Sequence, residues 1–261
     1  ISVADYNNDG LLDVYLGGYA GAYLAYMELA NERALAKGET PTDRIPWLSE
    51  EESKKIFQLM RSPDAHPISN IPGPPNWLLE NLGGGRFRRA ENSETASVAF
   101  NTMATGWSDI DRDGDMDLYV VNEGGPNQLL NNSGGTFTDI SNKDSGEIGF
   151  GMGVSFGDYD NDGRTDVYTT NMFSKAGTRI AEQMQSSEIV AQSARGNSLI
   201  RNGPDGFYKV SGLEPPALQV EAADFGWGGS FADLNNDGHL DIYVPAGLYS
   251  MPAEVATIGD S

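Results

Sequence analysis

The sequence predicts an all-β protein, a β-propeller of four-stranded antiparallel blades, and three observations carry that reading. A nine-residue acidic pattern, D-x-[DN]-x-D-G-x-x-D, occurs four times. Each copy lies between short runs rich in β-branched and aromatic residues. Glycine supplies 32 of the 261 residues, which favours tight turns over long helices. A small strand unit repeated along a chain buries its faces only against its neighbours, and a propeller is the radial form of that solution.

The copies read DYNNDGLLD from Asp5, DIDRDGDMD from Asp109, DYDNDGRTD from Asp158 and DLNNDGHLD from Asp233. Ahead of each lies a strand with a large apolar residue two places upstream: Val3, Trp107, Phe156 and Phe231. Met103, Met152 and Trp227 stand four places earlier, which predicts a shared face. Behind each copy comes an apolar–Tyr–x strand, with Tyr15, Tyr119, Tyr168 and Tyr243 at its centre. The first three copies are followed by NWLLENLGGGRF from Asn76, NQLLNNSGGTF from Asn127 and NSLIRNGPDGF from Asn197. An apolar run, a Gly-containing turn and a Phe-led segment make a β-hairpin, which completes four strands.

Spacing supports the module. The acidic copies start 104, 49 and 75 residues apart. Residues 20–70 and 174–196 differ in character, and without them the intervals become 53, 49 and 52. Both stretches are therefore read as insertions, partly helical, into a blade of about 50 residues. A helix is predicted over 19–37, stopping before Gly38. A second runs over 49–60 from the capping box of Ser49 and Glu52, and a third over 178–194. Each insertion leaves between the second and third strands, so both lie at the opposite end of the blade from the acidic loops.

The loop pattern suits a hard cation. Oxygen side chains at positions 1, 3, 5 and 9 converge when the chain turns at a glycine in position 6, and position 7 adds a backbone carbonyl. The expected sets are Asp5, Asn7, Asp9, Leu11 (carbonyl) and Asp13; Asp109, Asp111, Asp113, Asp115 (carbonyl) and Asp117; Asp158, Asp160, Asp162, Arg164 (carbonyl) and Asp166; and Asp233, Asn235, Asp237, His239 (carbonyl) and Asp241. Ca²⁺, about four ions in all, fits six to eight oxygens in flexible geometry better than Mg²⁺ does. An EF-hand would need a Glu at position 12, where Leu16, Val120, Thr169 and Val244 stand, and helices where this chain predicts strands. Plain Asp/Asn/Gly turns do not require the recurrent Asp at position 9.

Composition narrows the function. With 17 basic and 38 acidic residues the formal charge is −21, which argues against nucleic acid and anionic membranes as partners. Cysteine is absent and histidine occurs twice, so thiolate chemistry is excluded and a His-based relay has little material. No apolar run is long enough to span a membrane. Gly153-Val154-Ser155-Phe156-Gly157 matches G-x-S-x-G, but a metal loop and a strand follow where a nucleophile elbow needs a helix. His66 and His239 read as surface residues, and Asn131-Asn132-Ser133 as a hairpin turn that also matches a glycosylation sequon. Tyr19, Tyr23, Tyr26 and Trp47 serve either the packing of the inserted helices or a partner surface. The acids outside the loops show no paired motif of the kind a hydrolase needs, so no catalytic set is predicted.

The loop-plus-hairpin repeat resembles the FG-GAP/VCBS repeats of integrin-α-type propellers. The segments Met152-Gly153-Val154-Ser155-Phe156-Gly157 and Trp227-Gly228-Gly229-Ser230-Phe231 look most like the cartilage acidic protein group and its bacterial relatives. The resemblance implies a secreted calcium-binding propeller, usually of seven blades, and the relatives often add a C-terminal ASPIC-type domain. Only four loops are present here, so the chain, 1–261, is read as part of a propeller, with a closed four-bladed ring as the alternative. The expected function is a protein- or glycan-binding or assembly module, secreted, cell-surface or periplasmic, in which calcium is structural. The partner is expected on the face bearing the helical insertions, with the rest of its own propeller as a further partner. A polysaccharide-active enzyme with a channel site, and a surface-layer or filament subunit, are the alternatives.

Overall fold

The computed structural model describes residues 1–19, 27, 31, 33–40, 44–45, 49–51, 53–54, 73–91, 93–98, 100–172, 196–222 and 226–247. The fold is all-β and propeller-like. The first blade is β1 (Ser2–Ala4), β2 (Asp13–Leu16), β3 (Trp77–Asn81) and β4 (Phe87–Arg89), hydrogen-bonded in that order. The second is β5 (Thr102–Ser108), β6 (Asp117–Pro126), β7 (Gln128–Ser133) and β8 (Thr136–Asp139). The third is β9 (Ile148–Gly157), β10 (Asp166–Asn171), β11 (Ser198–Gly203) and β12 (Gly206–Lys209). The fourth copy contributes the pair β13 (Ser230–Ala232) and β14 (Asp241–Tyr243). All strand pairings within these sheets are antiparallel, and each acidic loop joins the first two strands of its unit.

Alternation along the second strands builds the core. Leu118 and Val120 of β6 pack with Tyr15, Leu78 and Phe137 between the first and second blades. Tyr119 and Val121, one residue out of phase, pack with Val167 and Ile200 between the second and third. A period of two with both faces apolar is what a blade covered on both sides requires. The tyrosine of one blade meets the aromatic residue of the next: Tyr15 and Trp107 lie edge to face at 6.1 Å, as do Tyr168 and Phe231. Each such buried side chain contributes about 1.5–3 kcal/mol. Small residues permit the approach. At Gly153 a Cβ would lie 2.9 Å from the Gly228 backbone of the neighbouring unit.

Two features differ from the sequence expectation. The blades are not separate sheets, because the long β6 continues past β7 and pairs with the start of β9 at Glu123↔Phe150 and Pro126↔Ile148. Nor do Met103 and Trp227 share the buried face of Trp107 and Phe231; both are exposed. In β5 the register shifts between Thr102 and Ala104, so Met103 is an extra residue that breaks the alternation. Met152 occupies the matching irregularity opposite Thr170/Asn171.

The insertions are described only in part. Residues 33–36 are helical and end at Gly38, whose φ of +74° and amide bond to the Leu35 carbonyl close the helix as expected. Helix also covers 50–51 and 53–54, with the Ser53 amide bonded to the Ser49 carbonyl. The predicted helix over 178–194, together with Tyr23, Tyr26, Trp47 and His66, lies outside the described residues. Among the described residues no helix is long and apolar enough to cross a membrane.

Candidate metal centres

Each acidic loop is shaped by its own amides. The position-6 amides of Gly10, Gly114, Gly163 and Gly238 donate to the position-1 carboxylates Asp5, Asp109, Asp158 and Asp233 at 2.7–3.1 Å. The position-7 amides of Leu11, Asp115, Arg164 and His239 donate to Asp9, Asp113, Asp162 and Asp237. Asn7, Asp111, Asp160 and Asn235 accept from the position-5 amides. Position 6 is left-handed in every copy, with φ between +83° and +95°, which only glycine adopts freely.

The aspartate at position 9 ties loop to hairpin. Asp13, Asp117 and Asp166 are buried, and one oxygen of each accepts from the position-2 amide of Tyr6, Ile110 or Tyr159. The other accepts from the third-strand amide of Asn81, Asn132 or Asn202 at 2.7–2.8 Å. Among the described residues Asp241 makes the first of these bonds, to Leu234. Burial pushes the carboxyls of Asp117 and Asp166 up to about 6, although both amides oppose it, and raises that of Asp13 in the same way. Neutralising a negative charge there relieves the desolvation cost, which is what a bound cation does.

Oxygens of Asp109, Asp111 and Asp117 lie within 4.8 Å of one another, and so do those of Asp158, Asp160 and Asp166. In the second loop Asp109 Oδ1 is buried and has no donor. The residues present thus fit a hard cation: anionic oxygens converge and one is unpaired. The first and fourth loops carry asparagine at position 3, and no three carboxylates converge in them.

The structure adds residues that the sequence reading passed over. Position 4 is left-handed in every loop, at Asn8, Arg112, Asn161 and Asn236 with φ of 56–65°. The asparagine in three of these four places was the available signal, because asparagine tolerates that conformation. Two of these side chains bond the following loop: Asn8 Nδ2 donates to Asp115 Oδ1 at 2.6 Å, and Asn161 Nδ2 meets the Gly238 carbonyl and His239 Nδ1. His239 is exposed, as expected. The third loop is also not without countercharge. Arg164 pairs with Asp162, and Arg201 lies 2.6 Å from Asp160 and 2.9 Å from Asp162. Two guanidiniums thus offset part of the carboxylate charge in that loop.

Other candidates resolve into structure. Ser155 sits mid-strand in β9 opposite Tyr168, not at a strand-to-helix turn. Asn131 Nδ2 donates to Asp111 and Asp117. Tyr19 is exposed and donates to Glu123 at 2.5 Å. Glu147 and Glu221, far apart in sequence, both reach Lys209, at 3.3 and 2.8 Å, a carboxylate pair that no local motif announced. Burial opposes the lysine's charge, but the two glutamates outweigh it and hold the ammonium above its ordinary value.

Residues 109–169, from the second acidic loop through the strand after the third, match the family model of the FG-GAP-like repeat, which supports an FG-GAP repeat family. Comparison with curated proteins returns no match for the chain.

Proposed function

We propose that this chain is a calcium-binding propeller module that works outside the cytoplasm, secreted, at the cell surface or in the periplasm, and that its calcium is structural. One observation carries the reading: an oxygen-lined loop, seated by its own amides and tied through position 9, recurs at the same place in each unit, and in the second loop a buried carboxylate oxygen is left without a donor. Each loop would hold one Ca²⁺ through positions 1, 3, 5 and 9 and the position-7 carbonyl. Extracellular calcium modules bind at roughly 10⁻⁴–10⁻³ M, and at about ten times that concentration each site adds about 1.4 kcal/mol. Four such increments approach the stability of a whole domain, which is the scale of a scaffold ion and not of a signal.

The FG-GAP-like repeat is in general a non-enzymatic module, which favours binding or assembly over catalysis. The acidic loops join first to second strands, whereas both long insertions join second to third. A protein or glycan partner is assigned to that insertion end, on a propeller that the rest of a longer chain would complete to about seven blades. The test is thermal unfolding in calcium against chelator. The melting temperature falls by at least about 5 °C on chelation and recovers with calcium but not with the same concentration of magnesium; equal melting in calcium and chelator would remove the structural role.

A further inference from the structure

The third-strand residue just before Asn81, Asn132 or Asn202 carries a different charge in each of the first three blades, and in the second and third it reaches the acidic loop. In the first blade it is Glu80, which turns to Arg88 with bonds of 2.9 and 3.0 Å. In the second it is Asn131, a neutral donor 2.7 Å from Asp111. In the third it is Arg201, whose guanidinium lies against both Asp160 and Asp162. Position 7 of the third loop adds a second guanidinium, Arg164, on Asp162. We propose that Arg201 and Arg164 form a built-in countercharge that closes the third loop without a divalent ion, so that cation affinity is graded around the propeller and is weakest there. This rests on the calcium reading for the other loops.

The two arginines are anchored rather than loosely paired. Arg201 Nη1 donates to the Tyr208 hydroxyl at 2.8 Å, and its guanidinium lies 6.0 Å from the Tyr208 ring. Arg164 Nε donates to the Asn202 carbonyl at 2.6 Å. All four charged side chains are partly buried, with exposures of 19–31%. Guanidiniums held by second partners lose little freedom in meeting a carboxylate, and partial burial keeps the attraction from being screened away. An ion entering this loop must displace them from oxygens it would itself use. In the second loop the carboxylates at positions 1, 3, 5 and 9 accept backbone amides and, among the described residues, the neutral side-chain amide of Asn131, so nothing cationic has to leave.

Two substitutions borrowed from the sister blades test this on the whole chain. Arg201→Asn with Arg164→Leu gives the third loop the residues of the second hairpin and the first loop and leaves every proposed ligand in place. In chelator the pair lowers the melting temperature by about 3–6 °C relative to the parent chain. In calorimetric titration with Ca²⁺ its weakest step tightens at least tenfold, whereas Asn131→Arg weakens the tightest step at least tenfold. An unchanged melting temperature in chelator overturns the countercharge, whether or not calcium binds anywhere. Unchanged stepwise affinities in a chain that does bind calcium overturn the grading. A parent chain that takes up no calcium sinks the calcium reading instead, and the melt in chelator still decides the role of the arginines.

Discussion

At Asp117 one side chain carries three duties. It accepts the Ile110 and Asn132 amides, converges with Asp109 and Asp111, and sits in a place so buried that its carboxyl is pushed up to about 6. Asp166 repeats the arrangement with the same shift. The sign for stability follows from linkage. A carboxyl that titrates near 6 when folded and near 4 when unfolded holds its proton in the folded state across that window, so without metal the fold gains stability as pH drops from 7 to about 4.5. Asp162 works oppositely: the Arg164 amide and the neighbouring guanidiniums lower its value, so its contribution is lost only below the ordinary carboxylate range. In chelator the melting temperature is therefore expected to rise from pH 7.5 to about 5 and then fall. Asp117→Asn flattens the rise, and the gain from added calcium shrinks over the same interval because the ion needs ionised ligands. Calorimetry at five or six pH values checks this, and a steady fall in chelator from pH 7.5 downward counts against it. The ligand positions were legible because the recurrence of Asp at positions 1 and 9 is a one-dimensional pattern. That position 9 also bonds the third strand was not legible, since that contact spans 15 residues in the second unit and 68 in the first.

The hairpin element shows the same division between local and distant information. Asn76, Asn127 and Asn197 open their hairpins where the sequence places them, yet what they do appears only in three dimensions. Each Oδ1 takes a backbone amide from Gly18, Asn122 or Asn171, and Asn76 and Asn197 also donate to the hydroxyls of Tyr15 and Tyr168. The apolar–Tyr–x strand was therefore read correctly as a strand but not as half of a polar lock. Met103 was misplaced for a related reason: a β-bulge changes the phase of a strand without leaving a mark in composition. Five residues after the start of each hairpin, Asn132 and Asn202 reach back to the preceding blade. Asn132 Nδ2 donates to the Tyr6 carbonyl of the first blade at 2.7 Å and to the Met116 carbonyl of its own at 3.1 Å, and Asn202 Nδ2 donates to the Ile110 carbonyl of the second blade. Asn132 is fully buried, so Asn132→Ala strands these acceptors and is expected to cost about 2–3 kcal/mol. Asn81 Nδ2 donates to the Leu12 carbonyl of its own unit in an exposed setting and its Oδ1 accepts the Gly83 amide, with no bond to another blade among the described residues, so Asn81→Ala is expected to cost less, about 1 kcal/mol. Urea unfolding of the two variants compares them directly; equal losses would mean that the blade-to-blade bond contributes nothing.

Over the whole molecule, the acidic loops are not four separate turns but one rim. They leave the same end of every blade, and Asn8 and Asn161 bridge one loop to the next. Fourteen carboxylates at proposed ligand positions belong to this rim, out of a formal charge of −21; four divalent ions would bring the whole to −13. Two forces oppose each other there. Repulsion along the rim acts on blade packing through many small terms, and it is screened by salt over a Debye length that shrinks from about 30 Å at 0.01 M to about 3 Å at 1 M. Site-bound ions act instead at contact distance, where screening by monovalent salt matters little. The two are separable by experiment. In chelator the melting temperature should climb by several degrees as sodium chloride rises from about 0.01 to about 0.5 M, because screening relieves the rim. With calcium the same titration should give a much flatter line, since the charge that salt would screen has already been neutralised in place. Equal slopes under both conditions would show that the rim's repulsion does not limit stability, and would leave the apolar contacts between blades, Tyr15 on Trp107 and Tyr168 on Phe231, as what sets it.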